Sequence, residues 1–183
     1  MRVHLVHGFN VSDGGANTTD RLTPYFEVNG HEVIQHDYGW FGFLSVRFRN
    51  HSVAEKIAKA TTGEGYDVGV GHSNGCAILL DAASMGKFDG LILINPALDR
   101  DADIPDGVRW VHVYHNSGDK PVKWAKWLPM HPWGDMGRVG YCGMDGRVMN
   151  FSGDRLEPRL SGHSDIFSPD KLPVWGSRLA AWV

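Results

Sequence analysis

The chain contains six short strand-like runs, and several of them are almost wholly apolar instead of alternating with polar positions. A strand with one face in water alternates, whereas a strand covered on both faces does not. The runs therefore predict a mostly parallel six-stranded sheet between two helical layers, a three-layer α/β sandwich. The predicted strands span residues 2–6, 31–36, 67–70, 90–94, 109–114 and 147–151.

Helices are predicted in the gaps between these strands, at residues 18–28, from Ser52, at 74–85, after Lys120 and at 174–182. Ser52 and Glu55 have the spacing of a capping box, which places a helix start at Ser52. Pro24 interrupts the first predicted helix because proline lacks a backbone N–H. Residues 141–147 have the pattern of a hairpin that turns at Asp145 and Gly146.

The length, charge and composition of the chain restrict the class of protein to which it can belong. A length of 183 residues predicts a single domain over residues 1–183. A formal net charge of -3 and the lack of a basic stripe argue against nucleic acid and membrane partners. The chain enters a strand at once, and no apolar run reaches membrane-spanning length, so we expect a cytoplasmic protein. His4, His7 and His36 lack an accompanying ligand cluster at workable spacing, so no metal is expected.

Residues 71–75 read Gly-His-Ser-Asn-Gly and lie between a predicted strand and a predicted helix. A glycine two residues before and two residues after a serine allows a turn so sharp that side chains there would collide with backbone. The five-residue pattern occurs by chance in many chains, but the strand-to-helix context is that of a nucleophile elbow. The pattern predicts Ser73 as a catalytic nucleophile, exposed above the sheet.

The first predicted strand ends in His7, Gly8 and Phe9, and a serine elbow follows further along the chain. With these motifs in this order, nearly the whole chain resembles the α/β-hydrolase family, in particular the small lid-less retinoblastoma-binding-protein-type serine hydrolases. The resemblance implies a minimal α/β-hydrolase fold with strands in the spatial order 2-1-3-4-5-6. It also implies that the strand bearing Gly8 lies beside the strand bearing Ser73, and ligands bind at such a switch point.

Acyl transfer requires backbone donors for the oxyanion and a histidine base for the serine. The predicted donors are the N–H groups of Phe9 and Asn74. The family places its base after the last strand, where His163 stands, and His131 is the reserve candidate. His72 flanks the serine and is expected to point elsewhere.

The carboxylate that orients the histidine base has two candidates, Asp119 and Asp154. Residues 111–122 resemble the family's passage of strand, glycine, aspartate, proline and valine, which favours Asp119, although Asp119 follows Gly118 directly. The family pattern has one more residue between the glycine and the aspartate. Asp154 therefore stays a candidate, because it also follows a strand and a glycine. Asp119 is preferred because Asp154 comes after the strand that should deliver His163.

The resemblance implies a carboxylesterase-like serine hydrolase that acts on small-molecule acyl esters through an acyl-enzyme and that requires no cofactor. Residues 95–108 are too few for the helical lid of a lipase, so short acyl groups are expected. Trp40, Phe41 and Phe43 follow the second strand and are candidate substrate contacts, although such aromatic residues more often pack in a core. A peptidase, amidase or thioesterase on the same triad, or a non-catalytic binding protein, remains an alternative.

Overall fold

The central feature of the fold is a six-stranded sheet. The computed structural model describes residues 1–9, 11–39, 46–61, 66–120 and 133–183, without the side chains of residues 47 and 48. Its strands lie parallel in the order β2-β1-β3-β4-β5-β6. The strands are β1 (Arg2–Val6), β2 (Glu32–His36), β3 (Asp67–His72), β4 (Gly90–Ile94), β5 (Trp110–His115) and β6 (Val148–Ser152). The predicted α/β class, parallel sheet and spatial strand order are confirmed.

Helices cover both faces of the sheet because its inner strands, such as β3 and β4, are buried on both faces. One face carries α2 (Val46–Ala60) and α3 (Asn74–Met85), which contribute residues such as Ile57 and Leu79 to a buried cluster. The opposite face carries α1 (Thr23–Glu27) and the C-terminal helix, whose Phe26 and Trp175 belong to a second cluster. The sheet therefore separates two cores, as the pattern of apolar runs predicts.

The first two helices differ from their predictions. Pro24 lies in the first turn of α1, where its missing N–H leaves no hydrogen bond unmade, so it begins the helix instead of interrupting it. The helix follows a 3₁₀ turn at Thr19–Leu22. The prediction that Ser52 caps α2 is wrong, because α2 begins at Val46 and contains Ser52. Val46 is buried, and burial favours a helix that begins before the local capping pattern.

The later elements show one further correction. The structure has α3 ending before Gly86 as predicted, a short α4 (Met136–Val139) that the pattern did not indicate, and α5 (Leu172–Ala180). The predicted hairpin is wrong, since residues 141–147 form no strand. Arg147 instead binds Asp145 and the carbonyl oxygens of the 104–108 loop. The helix predicted after Lys120 lies outside the described residues.

No helix within the described ranges is both long enough and apolar enough to cross a membrane.

Candidate active site

Ser73 stands between β3 and α3 in a backbone conformation that side chains rarely adopt, with φ 56°. Three backbone hydrogen bonds hold it there. Its N–H donates to the carbonyl of Ile94 (3.0 Å), and its own carbonyl accepts from the N–H groups of Cys76 and Ala97 (3.1 Å each). A strained residue persists only where its surroundings determine its conformation, and such residues concentrate at functional sites.

Glycines surround the turn at Ser73 because the neighbouring chain leaves no room for side chains. A β-carbon at Gly75 would collide with the carbonyl oxygens of Val6, the last residue of β1, and His7, the residue after it. A β-carbon at Gly8 would lie 3.2 Å from the Cβ atom of Ser73. The end of β1 and the turn at Ser73 are therefore in direct contact, so the candidate oxyanion strand lies beside the candidate nucleophile.

His163 and Asp119 form a hydrogen-bonded pair. The Nδ1 atom of His163 lies 2.8 Å from Oδ1 of Asp119, and Asp119 is 1% exposed. Because a carboxylate only accepts hydrogen bonds, Nδ1–H of the imidazole is the donor. The neutral ring then keeps its lone pair on Nε2, which is the form that a general base requires.

Asp154, the other candidate acid, and Asp165, which is close to His163 in the chain, have different partners. Asp154 accepts hydrogen bonds from the backbone N–H (2.9 Å) and hydroxyl (3.0 Å) of Ser117. Asp165 accepts from Lys171 and from the backbone N–H of Ser161, which lowers the pKa of its carboxyl group against the opposing effect of burial. His163 is therefore paired with Asp119, whereas Asp154 binds Ser117 in the loop after β5.

A glycine that sequence reasoning missed leaves room for Asp119. Gly137 belongs to α4, and a β-carbon there would lie 2.8 Å from Oδ2 of Asp119 and 2.7 Å from the carbonyl carbon of Asn95. The N–H of Gly137 donates to the carbonyl of Pro96 (2.8 Å), which keeps the helix against this loop. Only the tertiary structure reveals this requirement, since α4 carries no strong signal in the sequence.

His72 does not point away from the site, contrary to the expectation from sequence. Its ring lies 4.7 Å from the ring of His163, measured between centroids, and its Nε2–H donates to the backbone carbonyl of His163 (3.0 Å). Because His72 precedes Ser73 in the chain, this contact brings the loop of His163 to the turn at Ser73.

Trp133 connects the two residues predicted as oxyanion donors. Its indole N–H donates to Oδ1 of Asn74 (2.8 Å), and its ring lies 5.2 Å from the ring of Phe9. The Asn74 amide also exchanges two hydrogen bonds with the amide of Asn50 on α2, each 3.0 Å long. Asn74 is thus hydrogen-bonded to α2 and to Trp133, and Trp133 in turn contacts Phe9.

The turn that carries Gly8 is held by Tyr38. The Tyr38 hydroxyl lies 2.8 Å from the carbonyl oxygen of His7 and 2.6 Å from that of Gly8, and its ring stacks on His7 at 4.0 Å. Burial raises the pKa of the Tyr38 phenol, so the hydroxyl keeps its proton and remains a donor. This contact fixes the backbone just before Phe9.

The histidines of the first two strands are joined by a hydrogen bond. His4 lies 2.9 Å from His36 through Nδ1 and 3.0 Å from Asp67 through Nε2. In the part of the chain that the structure describes, no group of three or more His, Cys, Asp or Glu residues could hold a metal ion. The candidate substrate contacts Trp40, Phe41 and Phe43 and the reserve base His131 lie outside the described residues.

Solved structures with the same architecture belong to α/β hydrolases. A protein of this superfamily from Xanthomonas campestris pv. campestris aligns over 99% of this chain and 96% of its own, with 19% identity and a TM-score of 0.61. A monoacylglycerol lipase from Paleococcus ferrophilus aligns over 99% and 93% of the two chains, with 14% identity and a TM-score of 0.63. An esterase from Pyrococcus furiosus aligns over 99% and 80%, with 12% identity and a TM-score of 0.64.

No protein-family profile and no curated protein matches the sequence. The structural likeness nevertheless spans nearly the whole chain and its parallel six-stranded sheet. The chain has the fold of the α/β hydrolases.

Proposed function

We propose that the protein is a serine hydrolase that cleaves small acyl esters with Ser73, His163 and Asp119. The observation that carries this proposal is the hydrogen bond from Nδ1–H of His163 to the buried carboxylate of Asp119. The loop of His163 also accepts a hydrogen bond from His72, which directly precedes Ser73. The likeness in fold to an esterase and to a monoacylglycerol lipase supports the same class of reaction.

The chemistry follows from the roles of these three side chains. The hydroxyl oxygen of Ser73 attacks the ester carbonyl while Nε2 of His163 removes its proton, and Asp119 stabilises the imidazolium that results. The carbonyl oxygen becomes negative, and we assign the backbone N–H groups of Asn74 and Phe9 as its donors. His163 then protonates the leaving alcohol, which departs and leaves an acyl group on Ser73. Water activated by His163 releases the acid and restores the serine.

Short acyl groups are the proposed substrates. The connection between Ile94 and Trp110 contains no helix, so this connection supplies no helical lid over the site. Each methylene that leaves water contributes about 0.8 kcal/mol, and this gain stops where the acyl chain passes the edge of the pocket. We expect kcat/KM on nitrophenyl esters to be greatest at acyl chains of about two to six carbons.

A substrate panel tests this proposal and its alternatives. Acyl nitrophenyl esters, acyl thioesters and aminoacyl amides are compared with the wild-type protein and with Ser73→Ala. Preference for esters, with activity lost in Ser73→Ala, supports the proposal. Preference for thioesters or amides would move the protein to a different hydrolase class, and a lack of Ser73-dependent turnover on every member would make it a non-catalytic binding protein.

A further inference from the structure

Three polar side chains from consecutive strand ends converge on the loop that carries His163. His72 is the last residue of β3, Asn95 follows β4, and Asn116 follows β5. The amide of Asn95 donates to the carbonyls of Gly162 and His163, and the amide of Asn116 donates to the carbonyl of Gly162 (3.2 Å) and to Oδ1 of Asn95 (3.1 Å). With the hydrogen bond from His72, two consecutive carbonyls of the base loop are bound to three strands of the sheet.

The network is buried, so its geometry is restricted. His72 is 3% exposed, and Asn95 and Asn116 are fully buried. A buried donor that loses its acceptor cannot turn to water, so the loop cannot move without leaving amide and imidazole N–H groups unsatisfied. Asn95 also adopts φ 43°, a conformation that asparagine tolerates better than most residues.

His72 is suited to be a permanent donor in this network. Burial, and then the neighbouring charge of His163, lower the pKa of His72 to about 3, so the ring stays neutral over the range in which an esterase works. Its Nε2 must carry the proton because it faces a carbonyl oxygen. Within the described residues, Nδ1 has no hydrogen-bond partner, so the contact to His163 is the hydrogen bond that fixes this ring.

We propose that His72 is a positioning residue, which holds the backbone of His163 so that the imidazole stays aligned with the hydroxyl of Ser73. This inference rests on the proposed serine-hydrolase function. His72 is bonded covalently to the nucleophile's residue and by hydrogen bond to the carbonyl of the base's residue, so it links the two reacting groups by a short path. Asn116 joins the same loop to the end of β5, which leads into Asp119.

Three substitutions separate this role from simple packing. His72→Gln retains an N–H donor at about the reach of Nε2, His72→Asn has a donor that is too short, and His72→Leu has none. A matched control is His112→Gln, which alters a buried histidine of β5 whose ring contacts are with Trp110, Phe151 and Trp182. All four variants lose a buried imidazole, but only the changes at residue 72 affect the base loop.

The first readout is kinetic. We expect His72→Leu and His72→Asn to lower kcat by about tenfold or more, with KM little changed, because misplacing a catalytic group reduces the rate more than it reduces binding. The rate of inactivation by a fluorophosphonate should fall by the same factor. We expect His72→Gln and His112→Gln to remain close to wild type. Unchanged kcat in folded His72→Leu, or equal losses in the Leu and Gln variants, would overturn the proposal.

The second readout does not depend on activity. In protein labelled with ¹⁵N-histidine, the Nδ1–H proton of His163 that is bonded to Asp119 should give a protected NMR signal in wild type and in His72→Gln. We expect this signal to broaden or vanish in His72→Leu and His72→Asn. If it is unchanged in both, His72 does not position the ring.

The two readouts also separate the two proposals. If the wild-type protein shows no Ser73-dependent reaction with the probe, the proposed hydrolase function fails, while the NMR comparison still decides whether His72 positions His163. Circular dichroism reports whether each variant folds. If His72→Leu does not fold, the comparison of His72→Gln with His72→Asn still tests the proposal.

Discussion

Nδ1 of His163 lies 2.8 Å from Oδ1 of Asp119, although the two residues are 44 positions apart in the chain. The pair forms because Asp119 follows β5 and His163 stands in the loop between β6 and α5, two connections at the same edge of a parallel sheet. The elbow with Ser73 follows β3 at that edge too. This shared edge is where open α/β sheets bind their ligands.

The choice between the two candidate acids is tested by changing each to its amide. We expect Asp119→Asn to lower kcat by roughly three to four orders of magnitude, because the amide no longer stabilises the imidazolium or the correct tautomer. Asp154→Asn should leave kcat nearly unchanged, since Asp154 bonds to Ser117. Steady-state kinetics on a short acyl nitrophenyl ester measures both. The reverse ranking would assign the role to Asp154.

Gly137 provides a test that does not alter any charged group. In an exposed helix, Gly→Ala stabilises by up to about 1 kcal/mol, but here the added β-carbon would lie 2.8 Å from Oδ2 of Asp119. We expect the collision to dominate, so that Gly137→Ala lowers both kcat and the urea midpoint. Gly146→Ala is the control because nothing lies within 4 Å of a β-carbon there. Full activity in Gly137→Ala would show that Asp119 does not need its observed position.

Trp133 should support the candidate oxyanion donors through Asn74. Trp133→Phe removes the N–H that donates to Asn74 but keeps a ring to contact Phe9, and Trp133→Ala removes both contacts. One hydrogen bond is worth about 1 kcal/mol, so we expect kcat to fall about fivefold in Trp133→Phe and further in Trp133→Ala. Kinetics on the short acyl ester gives both values. If both variants match wild type, Trp133 has no part in holding these donors.

His4 and the partly buried His36 predict a loss of stability in mild acid. Burial, with a smaller effect of His4, lowers the pKa of His36 to about 4, and burial lowers the pKa of His4 as well. An unfolded chain binds protons at histidine near pH 6.5, before the folded protein does. The free energy of unfolding is therefore greatest above about pH 7 and decreases as the pH falls toward about 4.

His36→Gln tests the source of this dependence. Glutamine retains an N–H to donate to Nδ1 of His4 but does not titrate. We expect a smaller decrease of the urea midpoint between about pH 7 and pH 5 in His36→Gln than in wild type. Equal slopes in the two proteins would show that His36 does not contribute to it.

The fold could be predicted from sequence because its signals are local. Buried parallel strands appear as continuous apolar runs, and the Gly-x-Ser-x-Gly pattern marks the boundary between β3 and α3, where Gly75 meets the end of β1. The resemblance to α/β hydrolases is confirmed at the level of fold. Helix starts were less predictable, since the burial of Val46 extends α2 beyond its capping pattern.

The site was harder to predict because its contacts join distant segments. Sequence favoured Asp119 by position along the chain, but the distance to His163 depends on how two loops pack. The roles of His72, Asn95 and Gly137 depend on tertiary contacts that no spacing reveals. The Gly-x-Ser-x-Gly and His-Gly motifs pointed to this edge of the sheet, and Asn95, a polar residue directly after a buried strand, was a further signal there.

The most direct test of the central claim is the site at which a fluorophosphonate modifies the protein. We expect tandem mass spectrometry to locate a single phosphonyl adduct on Ser73, absent in Ser73→Ala and formed much more slowly in His163→Ala, because an unassisted serine hydroxyl is a weak nucleophile. An adduct on another residue that persists in Ser73→Ala, or no adduct in the folded wild-type protein, would contradict the assignment of Ser73 as the nucleophile.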